Sequence, residues 1–148
     1  EPAQVIDILL TTLPLAIRHG SRELDQSHHG MANQIGVKLR LAVVDASEER
    51  GKAVRLANPE ILHASVQLRS HDEASPNLPG VFAQLERPRA VTVRFLGADG
   101  TLQEQDFVGL WATSVQHQID HLNGKMYFDH LSRPKRDMLL RRAKKLKG

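Results

Sequence analysis

Between Gly109 and Leu122 the chain sets apolar residues at helical spacing and places two histidines one turn apart in the same segment. Leu110, Trp111, Val115, Ile119 and Leu122 form the apolar stripe of a helix that has to be buried. His117 and His121 stand four apart, so both rings leave the helix on one side. Any fold containing this segment must enclose it, and must also find partners for two imidazoles. The spacing is that with which a divalent metal takes two imidazoles from one helix. In the H-E-x-x-H form of that arrangement the second residue is the general base. Here it is Gln118, whose amide accepts no proton near neutral pH. Two readings stay open: a metal site, or two core histidines satisfied by hydrogen bonds.

The flanking segments complete an α+β pattern in one domain over residues 1–148. Ile6, Leu9, Leu10, Leu13 and Ile17 predict a first helix over residues 3–19, with Gly20 as its stop and Pro14 as a possible kink. Residues 20–34 read as a polar, His-rich loop. Leu39–Ala46 is a strand with a buried centre. Ala53–Leu56 and Ile61–Leu68 read as short strands around an Asn58-Pro59 turn. Ser70–Gly80, with two prolines, reads as loop. Ala90–Leu96 and Leu102–Phe107 form a hairpin across residues 98–100. Ser132 is the expected N-cap of a last helix over residues 132–147. Short antiparallel strands packed around the His-bearing central helix, plus the C-terminal helix, are therefore expected.

Charge is unevenly spread. Residues 132–148 hold eight Lys or Arg against Asp137 alone, a local charge of +7, whereas the remainder carries −4. Such a helix suits an anionic partner or is simply a solvated face. No apolar run approaches the ~20 residues that span a bilayer. The absence of cysteine excludes disulfides and thiolate metal ligands. The chain starts at Glu1 without Met, and an N-terminal piece is expected to be missing.

Three stretches together resemble the peptide deformylase family. Gln116–Gly124 and its continuation to Arg136 are similar to Q-H-E-I-D-H-L-x-G followed by an apolar strand and L-S-x-x-K-R. Asn33-Gln34-Ile35-Gly36 is similar to the end of G-x-G-L-A-A-P-Q-I-G. Glu73–Gly80 with Glu86-Arg87-Pro88 is similar to E-G-C-L-S-x-P-G and the basic residue after it. Order and spacing agree over residues 27–148. The resemblance implies removal of the formyl group from N-terminal formyl-methionine of new proteins. It also implies a divalent metal (iron, zinc, nickel or cobalt) held by two histidines and a cysteine, a glutamate that moves the proton, and an oxyanion held by a glutamine and one backbone N–H. By position, His117 and His121 match the histidine ligands and Gln34 the oxyanion glutamine. Glu73 and Arg87 match a bracing pair, and Asp120 an orienting aspartate.

Five departures concern the chemistry. Ser75 stands at the cysteine position, and a neutral hydroxyl is a poor ligand. Gln118 replaces the base, a change of about 10²–10⁴ in rate. Pro76 has no N–H where one would face the oxyanion, a loss of about 10²–10³. Ser27 and His29 replace two glycines beside Gly30, on the strand expected to pair with substrate. Phe82 replaces a common arginine near the substrate chain. His29 is the candidate replacement ligand, with His28, His71 and Glu73 as weaker choices; three histidines plus water form an ordinary zinc set.

A diverged paralogue is the reading these departures favour, with two functions open. One is a deformylase-like metal hydrolase of reduced or altered activity. The other is a catalytically silent binding or regulatory module, with a metal or with none. The partners implied are formyl-Met peptides or nascent chains, and the ribosome through the basic helix. Neither a membrane nor direct DNA contact is expected, and the expected compartment is cytoplasmic.

Overall fold

The computed structural model describes residues 28–31, 40–47, 51–75, 78–97 and 99–147; within 28–31 it describes the backbone only. The expected first helix, Gln34 and Pro76 lie outside the described residues. Among the described residues there are seven strands: β1 (His28–Met31), β2 (Leu41–Asp45), β3 (Val54–Ala64), β4 (Leu68–Ser75), β5 (Leu78–Pro88), β6 (Ala90–Leu96) and β7 (Leu102–Val108). Helix α1 (Leu110–Leu122), a 3₁₀ turn (Tyr127–His130) and helix α2 (Arg133–Lys147) follow.

The strands form two antiparallel sheets. One has five strands in the order β1-β2-β3-β6-β7, and the other pairs β4 with β5. Strand β6 shows why the first sheet has a core face. Its residues alternate, and Val91, Val93 and Phe95 turn inward while their neighbours stay half-exposed. They meet Ala42 and Val44 from β2, Leu56 from β3 and Phe107 from β7. Ala112, Val115 and Ile119 of α1 close the cluster, with Trp111 and Leu122 at its margin. Of the stripe foreseen on this helix, Trp111, Val115, Ile119 and Leu122 pack on the sheet, whereas Leu110, in the first turn, is exposed. A second cluster joins Val81 and Leu85 of β5 to Tyr127, Leu139 and Ala143. The last two lie four apart on α2, and most of the other residues of that helix face solvent.

Four segments differ from the sequence-based expectation. His28–Met31, inside the expected loop, pairs with β2 in the register His29↔Val44 and Gly30↔Val43. The Asn58-Pro59 turn is a kink within one eleven-residue strand. Asn58 takes φ +48°, a conformation asparagine tolerates, and the register with β6 shifts between Ala57 and Glu60. Most of the expected loop over Ser70–Gly80 belongs to β4 and β5, whose polar residues obscure the strand pattern. The apolar strand implied after Gly124 is the 3₁₀ turn. Gly80 has φ +84°, and a side chain there would meet Leu146 of α2 at 2.9 Å; glycine lets the helix close on β5.

Asp45, at the end of β2, is 3% exposed. It accepts hydrogen bonds from the hydroxyl and N–H of Ser47 and from the N–H groups of Gly51 and Lys52. Burial pushes its carboxyl up, but these bonds outweigh it and hold it below its ordinary 3.8. Asp45→Ala should destabilise the fold by about 1–3 kcal/mol in urea titration. Because the folded carboxyl is the stronger acid, its contribution is full above pH 3.8 and fades as pH falls below that value. The difference between wild type and variant should narrow on acidification accordingly.

Candidate functional site

Helix α1 runs between the two sheets, and every residue from Ala112 to Ile119 is buried, as is His121. Five of these nine are polar besides the second imidazole, so each needs a partner. Thr113 returns its hydroxyl to the Gly109 carbonyl and accepts from Arg69. Gln116 Nε2 donates to the carbonyls of Pro88 (2.9 Å) and Ala112 (3.0 Å), tying the helix to the end of β5.

His117 and His121 face each other. Their Nε2 atoms are 2.9 Å apart and their ring centroids 4.6 Å. The far side of His117 is fixed by Glu73, whose Oε1 lies 2.7 Å from Nδ1. Burial alone would raise the Glu73 carboxyl. Hydrogen bonds from His117 and Arg87, with the guanidinium charge, override it and hold the group at about 2. The carboxylate can only accept, so His117 Nδ1–H donates, which leaves the His117 Nε2 facing His121. Burial, then the neighbouring His117, hold His121 at about 4, so it is neutral near pH 7. A neutral imidazole is the form a metal binds.

Arg87 anchors the arrangement. Its Nε and Nη2 grip both oxygens of Glu73 (2.5 and 2.8 Å), and Nη1 donates to Asp120 Oδ2 at 2.8 Å. His130 Nε2 reaches the same oxygen at 2.7 Å. The guanidinium is only 5% exposed and the Glu73 side chain 3%, so the pair sits where a planar fork has most effect. The bracing pair and the orienting aspartate expected from sequence are thus brought together.

The other expected site residues divide. Ser75 is buried at the end of β4, two residues beyond Glu73. Gln118 is 3% exposed, and its Oε1 has no hydrogen-bond partner among the described residues. His29 and Gly30 belong to β1, one of the two outer strands of the five-stranded sheet among the described residues. Phe82 is 61% exposed, on the side of β5 opposite the buried Val81 and Leu85. Glu73 reaches Nδ1 of His117, the face away from His121, so it orients the ring and is not a third ligand. Among the described residues no three His, Cys, Asp or Glu side chains gather as a metal site, and His71 does not join the pair.

Two neighbours were not foreseen. Tyr127 is fully buried and stacks on His117, with centroids 6.2 Å apart and planes at 19°. Its hydroxyl has no hydrogen-bond partner among the described residues. Burial, then the nearby Glu73 charge, push it up to about 12. Only the apolar run around it in sequence hinted at an interior position. His130 carries no sequence signal; the fold alone brings it to Asp120. Tyr127→Phe should leave stability unchanged or raise it by about 1 kcal/mol, because it removes a buried donor that has no acceptor among the described residues. Thermal unfolding checks this, and a loss above ~1 kcal/mol would reveal a partner such as ordered water.

Residues 25–137 match the polypeptide deformylase family. The chain belongs to that family. A peptide deformylase of Mesorhizobium japonicum is 44% identical over 117 residues, covering 78% of this chain and 66% of that protein. One of Agrobacterium fabrum is 42% identical over 116 residues, covering 77% and 68%. The chain thus spans about two thirds of the length of these curated relatives. The fold resembles a peptide deformylase from Legionella pneumophila, with a TM-score of 0.83 and 32% identity over 97% of this chain and 81% of that one. The deformylase from Ehrlichia chaffeensis gives a TM-score of 0.78 at 27% identity, over 98% and 82%. The expected α+β class and family are borne out by these likenesses. Deformylases are metal-dependent, and the two imidazoles meet part of that requirement. Their Nε2 separation is within about half an ångström of that between two ligands of one tetrahedral zinc, given Zn–N bonds of ~2.0–2.1 Å. The donor set is otherwise incomplete, since the chain has no thiolate to offer. Among the described residues no helix is long and apolar enough to cross a membrane.

Proposed function

We propose that this chain is a diverged deformylase-type amide hydrolase of low turnover, acting on N-formyl-methionyl peptides at the His117–His121 pair. The observation that carries the reading is the convergence of the two Nε2 atoms at 2.9 Å, with His117 held in one tautomer by Glu73. A divalent metal there (iron, zinc, nickel or cobalt) would supply the Lewis acidity that makes water a nucleophile at neutral pH. His117 and His121 would hold it, with Ser75 or His29 completing the set. Arg87 keeps Glu73 ionised and fixed, and Glu73 keeps the His117 lone pair aimed. Gln118, at the position of the family base, can accept a hydrogen bond through Oε1 but removes no proton, so it would orient and not transfer. Gln34 would donate to the oxyanion, without the second donor that Pro76 lacks. Gly30 and its strand would receive the peptide backbone, with Phe82 at the margin of the cleft. Protein purified without chelator should carry metal and hydrolyse formyl-Met peptides, slower by about 10²–10⁴ than a deformylase with a carboxylate base. Neither metal nor turnover after anaerobic loading with iron or nickel would end this reading.

A second reading is a binding module that holds formylated nascent chains uncleaved in the same cleft. The buried Oε1 of Gln118, without a partner among the described residues, favours it, because an amide oxygen can hold a donor that it cannot deprotonate. The exposed Arg141, Arg142, Lys144 and Lys145 would attach the domain to ribosomes in the cytoplasm. Reversing these four charges keeps Leu139 and Ala143 in the core. Reversal should abolish a co-sedimentation that weakens steeply with salt. Unchanged co-sedimentation after reversal, or salt-independent binding, would remove the ribosome from the account.

A further inference from the structure

We propose that His130 is a positioning residue of the paired-histidine centre, acting through Asp120, Arg87 and Glu73 on His117; the role rests on the reading of the pair as a ligand site. Asp120 Oδ2 is shared by two donors, Arg87 Nη1 at 2.8 Å and His130 Nε2 at 2.7 Å. The Asp120 side chain is 20% exposed, so water competes for it; Glu73 and Arg87, at 3% and 5%, are sealed. His130, whose side chain is 30% exposed, therefore stands at the wet end of a chain of hydrogen bonds that runs His130–Asp120–Arg87–Glu73–His117–His121.

The element that carries His130 is itself fixed to the site. Its first residue, Tyr127, stacks on the His117 ring. Its start is closed by Asp129, whose Oδ2 accepts from the Met126 N–H at 2.8 Å. Arg136 of α2 pairs with the other oxygen of Asp129 at 3.5 Å and lies over the Phe128 ring. A four-residue turn thus touches the centre twice, once by packing on an imidazole and once by clamping the aspartate beside the other. Without the clamp, Asp120 can rotate to water, the guanidinium loses one of its three anchors, and Glu73 no longer presents Oε1 squarely to His117 Nδ1. Outer partners of this kind change metal affinity by about 10–100-fold when removed.

The test compares wild type, His130→Ala and His130→Gln in the whole chain. The Gln amide N–H can still donate to Asp120. Zinc alone is titrated against a chromophoric chelator, and the metal-free protein is followed by ¹⁵N–¹H NMR of the histidine rings. His130→Ala should weaken zinc binding about tenfold and broaden the low-field Nδ1–H signal of His117 by faster solvent exchange. His130→Gln should restore both to within about threefold. A lowered unfolding midpoint in His130→Ala, with zinc affinity and the Nδ1–H signal unchanged, would assign His130 to stability alone and overturn the proposal. If wild type binds no zinc, the ligand-site reading fails, and the Nδ1–H signal still decides whether His130 positions His117.

Discussion

Replacing Ser75 by Cys and Gln118 by Glu together should raise kcat/KM for a formyl-Met peptide by about 10³-fold under anaerobic conditions. The two substitutions restore different things. Cysteine offers a thiolate, which is deprotonated outright on a metal, where the serine hydroxyl keeps its proton. Glutamate offers a group that can take and return a proton, worth about 10²–10⁴. Both positions are already buried, and Gln118 adjoins His117 on the helix. Ser75 is 2% exposed and Gln118 3%, and the Gln118 Oε1 has no hydrogen-bond partner among the described residues. Gln118→Glu alone should gain less, because a base without a well-held metal has no activated water to serve. Steady-state kinetics with metal content measured on the same samples decides this. A double variant that holds metal stoichiometrically and is no faster than wild type would show that Pro76 and the substitutions at Ser27 and His29, not the missing thiolate and base, limit the reaction.

The second large effect is on stability. Arg87→Ala should destabilise the fold by about 3–5 kcal/mol, because it leaves the Glu73 carboxylate buried without its cation. Asp120 loses the same partner. Arg94→Ala is the internal control. Its pair with Glu104 joins side chains that are 42% and 53% exposed, and such surface pairs contribute less than ~1 kcal/mol. Urea titration of the two variants should therefore differ by several-fold in ΔΔG. Similar small losses would mean that Glu73 finds another donor or water when Arg87 is gone, and that the guanidinium does not organise the site.

How much of this was legible in the residues depends on which force fixes each element. Helix α1 was readable because burial acts on a long periodic segment, and Leu110 to Leu122 carries the period twice over. The hairpin of β6 and β7 was readable for the same reason, with Val91, Val93 and Phe95 in strict alternation. Strands β4 and β5 were not readable. Their inward positions are Glu73, Ser75 and Arg87 as well as Val81 and Leu85, and two buried charges tolerated only as partners look like loop in a linear chain. The kink at Asn58-Pro59 misled in the opposite direction, since a strong turn signal sits inside a strand that bulges and continues. At the site, the imidazole pair, Glu73, Arg87 and Asp120 carried motif spacing. Tyr127 and His130 did not, because a 3₁₀ turn brings them home across the chain and no local pattern encodes that approach.

One measurement bears most directly on the His117–His121 pair as a metal-holding, hydrolytic centre. Crystals grown with zinc should be measured above and below its absorption edge, and the anomalous difference map inspected between the two rings. The expected map has a single strong peak bonded to both Nε2 atoms, with the rings slightly parted and Glu73 still on His117 Nδ1. A map with no peak there, and Nε2 of one imidazole still hydrogen-bonded to Nε2 of the other, would show that these histidines satisfy each other as core residues and that the centre inherited with the fold no longer holds a metal.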